Sequence, residues 1–229
     1  REQFLEKLTG VTDPEEKRNA ITRAFYAEVF ADLVRKSGAR FLLHGTILTD
    51  VDETVAGIKR QHNILAQIGI DPEKEYGYRV LEPLVELRKD GVRKVARALG
   101  LPKQIYSRMP FPGPALAARV IGEVTPQKVA LVRKATAIVE SELKSTKAFQ
   151  YFAVLMNDKA TGMRNNRREF GNIIVVRCIN SIDAREALPT QLPWGRLKKI
   201  ERRITTEIPQ VVRVLYDITP KPPSTVEFI

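Results

Sequence analysis

Four short stretches carry the side chains that could do chemistry. The first is HGTILTDVDET, residues 44–54, where Gly45 and Thr46 are followed by Asp50, Asp52 and Glu53. A glycine lets the backbone come close to a ligand. A threonine hydroxyl can donate to a phosphate or a ribose, and carboxylates beside a nucleotide can hold magnesium, which prefers hard oxygen ligands. The same residues also make an ordinary polar loop at a strand end. The second stretch is IKRQHN, residues 58–63, with Lys59, Arg60 and His62. A basic loop of this kind could close over polyphosphate and neutralise the charge that develops on a leaving group. A solvated charge run has the same composition. His44 and His62 are the two histidines of the chain and no ligand spacing accompanies them, so a zinc-type site is not indicated.

The third stretch is the closing TPKPPSTVEFI, residues 219–229. Its prolines pre-set the backbone and lower the entropic cost of holding their neighbours in place. Lys221, Ser224 and Thr225 are natural phosphate contacts, and Glu227 can accept hydrogen bonds from a base or a sugar. A frayed terminus is the competing reading, against which Val226, Phe228 and Ile229 are apolar. The fourth stretch is TGMRNNRREF, residues 161–170, where Arg164, Arg167 and Arg168 cluster about a paired asparagine. That pattern reads as a hairpin tip, offering either an anion patch or a solvated loop.

Regular elements must position these stretches. Residues 12–38 read as a helix, with Thr12 as N-cap, Glu15 completing a capping box, Ile21, Phe25, Val29 and Leu33 on one face and Gly38 as C-cap. RFLLHG (40–45) and RVLEPL (79–84) read as short strands, and KDGVRKVARALG (89–100) as a helix. Helix, strand and polar loop in alternation point to an α/β sheet, in which ligands sit at the carboxyl ends of strands. MPFPGPALAARV, residues 109–120, is too rich in proline for an element interior. It reads as a stiff connector and sets a domain boundary near residue 109. Beyond it, a helix starts at Thr125 and Pro126. YFAVLM, NIIVVRCI and VVRVLYDI read as strands, and PWGRLKKIERRITTEI as a basic helix. These make a small α+β domain.

Composition bounds the partners. The 229 residues carry 38 Lys and Arg against 27 Asp and Glu, a net charge of +11 that favours anionic partners such as nucleotides and phosphates. Cys178 is the single cysteine and lies in an apolar run, so a disulfide within the chain is excluded and a cytoplasmic location is expected. No apolar run approaches the roughly 20 residues that span a bilayer. The first residue is Arg1 rather than Met, so further sequence is expected upstream.

MPFPGPALAARVIGEV resembles the proline-rich signature of the GMP synthetases, and DITPKPPSTVEF resembles that family's closing KPP-x-T-x-E signature. HGTILTDVDET is similar to its QGT-x-x-x-D-x-x-E-S segment, IKRQHN to its IK-S-HHN lid loop, FQYFAVL to its QAF-x-V strand, and TDPEEKR matches outright. The matches run in family order along nearly the whole chain. The variants present resemble the archaeal two-subunit form.

The resemblance implies a partial ATP-pyrophosphatase domain, a doubly wound parallel sheet, over residues 1–108, and a small α+β dimerisation and XMP-binding domain over residues 109–229. It implies ATP-dependent amination of xanthosine monophosphate (XMP) to GMP through an adenylyl intermediate, with release of AMP and pyrophosphate. Ammonia would come from a separate glutaminase subunit. Lys221, Thr225, Glu227, Gln150, Arg119 and Arg168 would bind XMP; Gly45, Thr46 and Asp50 would bind ATP; Lys59 and His62, on the lid, would serve catalysis. Magnesium would accompany ATP and be held mainly by a Gly-rich SGGVDSS loop expected upstream of Arg1, without which no synthetase activity is expected. A homodimer through residues 109–229 is implied, with neither membrane nor nucleic acid as partner.

The pattern is not followed everywhere. His44 stands where Gln is usual, Gln61 replaces the first His of the lid pair, Met109 stands for His, and Ala115 replaces the second Gly of the proline signature. A basic RNA- or nucleotide-binding protein without enzymatic activity, and another ATP-pyrophosphatase such as an NAD synthetase or a tRNA-thiolating enzyme, are the alternatives. The aromatic fraction of 7%, not interleaved with the basic clusters, speaks against a stacking platform for RNA.

Overall fold

A computed structural model describes residues 2–55, 71–109, 111–112, 115–182 and 184–228. The chain is mixed α/β and divides into two compact units, one of residues 18–108 and one that joins residues 1–17 to residues 109–229. The first 17 residues thus group with the later unit, not with the residues that follow them up to the boundary near residue 109. Among the described residues no helix is long and apolar enough to cross a membrane.

The opening helices are α1 (Glu2–Glu6) and α2 (Pro14–Arg23), and α2 continues through a π-helical turn (Ala24–Phe30) into α3 (Ala31–Ser37). The cap of α2 is Asp13, not the expected Thr12: its Oδ1 accepts the Glu15 and Glu16 N–H groups, both at 2.9 Å. Gly38 closes α3 at φ 66°, as expected of a left-handed C-cap. The expected apolar face does not form. Phe25 and Leu33 are exposed while Ala24, Tyr26 and Ala31 are buried. A π turn adds a residue per turn and rotates everything after it, which a strict 3.6-residue reading cannot anticipate.

The unit of residues 18–108 is built on two short parallel strands, β1 (Phe41–Leu43) and β2 (Arg79–Leu81), in register Leu42 to Val80. Around them lie α4 (Leu48–Val55), α5 (Pro72–Tyr76), α6 (Lys89–Ala98) and α7 (Lys103–Tyr106).

The other unit has a larger sheet. Its helix α8 (Pro126–Leu143) starts as expected, with the Thr125 hydroxyl accepting the Lys128 N–H at 3.2 Å. Strands β3 (Gln150–Arg164) and β4 (Arg167–Asn180) form a long antiparallel hairpin. Its tip is Asn165–Asn166, at φ 48° and 59°, the left-handed pair that a tight hairpin turn requires. The short β5 (Leu188–Pro189) and, after α9 (Trp194–Glu207), the last strand β6 (Val211–Asp217) both pair with β4, antiparallel and parallel respectively.

Strand alternation gives the sheet two faces. Ala153, Leu155, Ile174, Val176 and Cys178 are all buried on one. That face lies against Val132, Ala135, Val139 and Leu143 of α8, spaced three and four apart along one stripe and fully buried. Gln150, Phe152, Val154, Val175 and Arg177 line the other. Phe152, Val154 and Val175 form a core cluster against which Ile121, Met156 and Phe228 pack. The closing tail is therefore docked rather than frayed.

Candidate functional site

Arg119 ends a 3₁₀ turn (Ala115–Arg119) that directly follows the proline-rich stretch. The next residue, Val120, bridges to Leu155, and the Ile121 N–H donates to the Leu155 carbonyl at 2.9 Å. Thus the turn is stitched to the edge of β3, and Arg119 is delivered onto the tail-bearing face of the sheet. Its side chain is only 2% exposed. The guanidinium lies over the rings of Phe152 and Phe111, at 4.3 and 4.9 Å from their centroids, an arrangement that holds a cation by its attraction to ring faces.

Glu227, from the tail, meets this arginine. Arg119 Nε donates to Oε2 at 3.2 Å and Nη2 to Oε1 at 3.1 Å, a two-pronged contact that fixes the carboxylate plane. Gln150, the first residue of β3, donates from Nε2 to the same Oε1 at 2.6 Å. A carboxylate has about four acceptor positions. Among the described residues three donors meet it, on a side chain that is 14% exposed. Three residues expected at an XMP site, Arg119, Gln150 and Glu227, are therefore gathered from three distant stretches.

The other expected residues are placed as follows. Lys221 donates from Nζ to the Ala184 carbonyl at 2.7 Å, and its backbone pairs with Ala187 in both directions. The Thr225 hydroxyl donates to the Glu227 carbonyl. Arg168 is not with them. It pairs with Met163 beside the hairpin tip, whereas Gln150 pairs with Ile179 at the other end of the same hairpin. Thirteen residues of strand at about 3.3 Å each put the two ends roughly 40 Å apart.

The loop after β1 is held together by its own side chains. Asp50 Oδ2 accepts the Ile47 N–H at 3.0 Å and so caps the entry to α4. The Thr46 hydroxyl, fully buried, donates to Glu82 Oε1 at 2.6 Å, tying the ends of β1 and β2 together. The His44 ring meets Tyr26 edge-on at 5.4 Å. Burial, aided by the nearby Glu82 carboxylate, pushes the Tyr26 phenol up to about 12. Asp52 pairs with Arg88 at 3.0 Å on the surface. Gly45 is exposed, with nothing among the described residues within 4 Å of where a Cβ would stand. Among the described residues no three His, Cys, Asp or Glu side chains converge as a metal site would need. Lys59 and His62 lie outside the described residues.

Three residues with clear structural work were missed by sequence reasoning. Arg177 is wholly buried on β4 and binds the tail; its signal was present, a lone charge in the apolar run NIIVVRCI. Glu82 ties Thr46, and only the pairing of β1 with β2 could have found it. Lys17 is buried and donates to the Val120 carbonyl at 2.8 Å. Burial chiefly, and Lys128 next, lower its pKa. It sits among the charges of TDPEEKR and nothing in that run distinguishes it.

Known proteins resemble this sequence. Residues 137–228 match the family model described as GMP synthase C terminal domain. Over 99% of its length the chain is 51% identical to a protein of Methanopyrus kandleri named as a subunit of glutamine-hydrolyzing GMP synthase, covering 73% of that protein. Relatives of the same name in Pyrococcus horikoshii and Archaeoglobus fulgidus are each 50% identical over 100% of the chain, which covers 73% of each.

Proposed function

Because this chain belongs to the GMP synthase family, we propose that it is the synthetase component of a two-chain ligase that aminates XMP to GMP. ATP adenylates O2 of the xanthine base and releases pyrophosphate. Ammonia attacks C2, the carbon that bears the adenylated oxygen, and the C2–O2 bond breaks to release AMP. The relatives are named as one subunit of a glutamine-hydrolyzing enzyme, which supports a separate glutaminase subunit as the ammonia source.

The observation that carries the reading is the meeting of Arg119, Gln150 and Glu227 on one sheet face. Glu227, held on two sides, presents a fixed acceptor to a purine N–H or a ribose hydroxyl. Lys221 supplies the cation for the nucleotide phosphate by exchanging the Ala184 carbonyl for it, and Thr225 lies between the two in sequence. Residues 1–108 are read as part of an ATP-pyrophosphatase domain, to which the parallel pair β1–β2, with the polar loop at the end of β1, lends support. Gly45, Thr46 and Asp50 form the ATP-side loop, and Lys59 and His62 act from the lid. Thr46 and Asp50 serve that loop by bracing it. Magnesium would arrive with the nucleotide. Asp50 and Asp52 are turned to Ile47 and Arg88.

A homodimer through residues 109–229 belongs to the same reading. Arg168, about 40 Å along the hairpin from Gln150, can serve an XMP site only if that site is another copy's. A reducing, cytoplasmic setting is supported by the single buried cysteine. The test is Lys221→Ala in the full-length protein supplied with ammonia. The KM for XMP rises far more than that for ATP; equal effects on both would sink the assignment.

A further inference from the structure

We propose that Arg177 is a positioning residue that folds the closing segment into its binding shape; the link to catalysis rests on the reading of that segment as part of the XMP site. A guanidinium has five N–H donors in a rigid fork. Arg177 spends all five. Nε donates to the Val226 carbonyl at 2.9 Å. Nη1 donates to Asp217 and, at 3.1 Å, to the Thr219 carbonyl. Nη2 donates to the Ser224 hydroxyl at 2.9 Å and to the Thr225 carbonyl at 2.7 Å.

Three of these five acceptors are main-chain carbonyls of the tail, and they bracket the Lys221–Pro222–Pro223 run on both sides. Prolines have no N–H to give, so this run cannot organise itself as a strand or helix. Its own contribution is sparse: the Ser224 N–H bonds the Pro220 carbonyl, and Lys221 pairs with Ala187. The guanidinium takes the place of a partner strand. Its position is set by the sheet, since Arg177 pairs with Phe152 on one side and with Asp217 on the other. The side chain is wholly buried, and its counter-charge Asp217 is 12% exposed. No other cationic side chain has the planar fork needed to meet carbonyls arranged in this way, so lysine is not an equivalent. The tail so fixed carries Lys221 at its near end and Glu227 at its far end, the latter locked by Arg119 and Gln150. Arg177 touches neither Arg119 nor Gln150 by any of these bonds. It acts on substrate through the tail.

The experiment uses the full-length protein with ammonia, in three variants: Arg177→Lys, Arg177→Ala and the milder Ser224→Ala. Amide hydrogen exchange is followed over residues 219–228, beside separate KM values for XMP and ATP. Expected is faster exchange confined to the tail, graded Ser224→Ala, Arg177→Lys, Arg177→Ala. The KM for XMP rises about tenfold or more in the arginine variants, with the ATP value within about twofold. Ethylguanidinium restores part of the XMP affinity of Arg177→Ala. Unchanged tail exchange in all three variants overturns the proposal, as does a parallel loss for both substrates with exchange raised throughout the unit. A loosened tail with an unaltered KM for XMP overturns the XMP reading of the tail, and with it the positioning role.

Discussion

Ala115 stands in the left-handed region at φ 56°, immediately after the proline-rich stretch, where its N–H bonds the Pro112 carbonyl at 2.9 Å. A side chain there costs on the order of 1 kcal/mol relative to glycine. Ala115→Gly is therefore expected to raise stability by roughly 0.5–1 kcal/mol, relief of strain outweighing the lost stiffness of the unfolded chain. A melting curve checks this, and a lower Tm would count against it. The Arg119–Glu227 contact makes the opposite kind of claim. Removing one member of a buried pair strands the other, so Glu227→Ala should lose about 3 kcal/mol. The paired replacement Arg119→Met with Glu227→Leu should recover much of that, as read by denaturant midpoints. Arg119 and Glu227 were legible in the sequence as separate members of motifs. Their contact was not, because 108 positions separate them and only the docking of the tail on β3 joins them. Lys17 and Glu82 were illegible for a related reason: each is one charge among several, and burial alone singles it out.

At the level of elements, α8 and α9 are clamped by charge as well as by apolar packing. Glu142 near the end of α8 receives Lys199 at 2.9 Å and Arg203 at 2.9 Å from α9. These hydrogen bonds hold its carboxyl below the usual glutamate value. A depressed folded-state pKa gives stability that is present above the unfolded value of about 4.3 and is lost as pH falls through the folded one. Glu142→Gln should lower stability by a nearly constant amount above about pH 4.3 and flatten the acid limb below it. An unchanged acid limb would show that the contact carries no linkage. Close approach matters elsewhere: a Cβ on Gly171 would come within 2.5 Å of Val212 Cγ1 and 2.8 Å of the Gln210 carbonyl. Gly171→Ala should therefore prise β6 from β4 and lower the Tm by several degrees. The helices and strands of the later unit were readable from periodicity, caps and turn residues. The π turn was not, because it leaves the sequence pattern untouched while rotating the face that follows.

Taken whole, the molecule has described polar machinery in each unit: a braced loop within residues 18–108, and a docked tail within the unit that joins residues 1–17 to residues 109–229. The net charge of +11 suits anionic substrates at either. If the tail is the XMP site, XMP should raise the melting temperature of the protein. At a hundredfold excess over Kd the gain is about 2.7 kcal/mol. Any shift with single-stranded RNA should vanish with moderate salt. A salt-steep shift with RNA and none with XMP would favour the non-enzymatic alternative. Charge read from sequence could say that an anion binds; which anion depends on tail geometry, which composition does not encode.

Cys178 lies beside Arg177 in sequence but on the opposite face of the sheet, wholly buried, its thiol pushed up by burial. That makes it a built-in reporter. Because Arg177 and Cys178 face opposite sides of the sheet, a tail that merely swings away leaves the thiol covered, and an alkylating reagent reaches it only when the packing on its own face opens. The rate of labelling of this one thiol therefore clocks the opening of its own unit and no other event. Without any engineered probe, it separates a loosened strap from a collapsing scaffold.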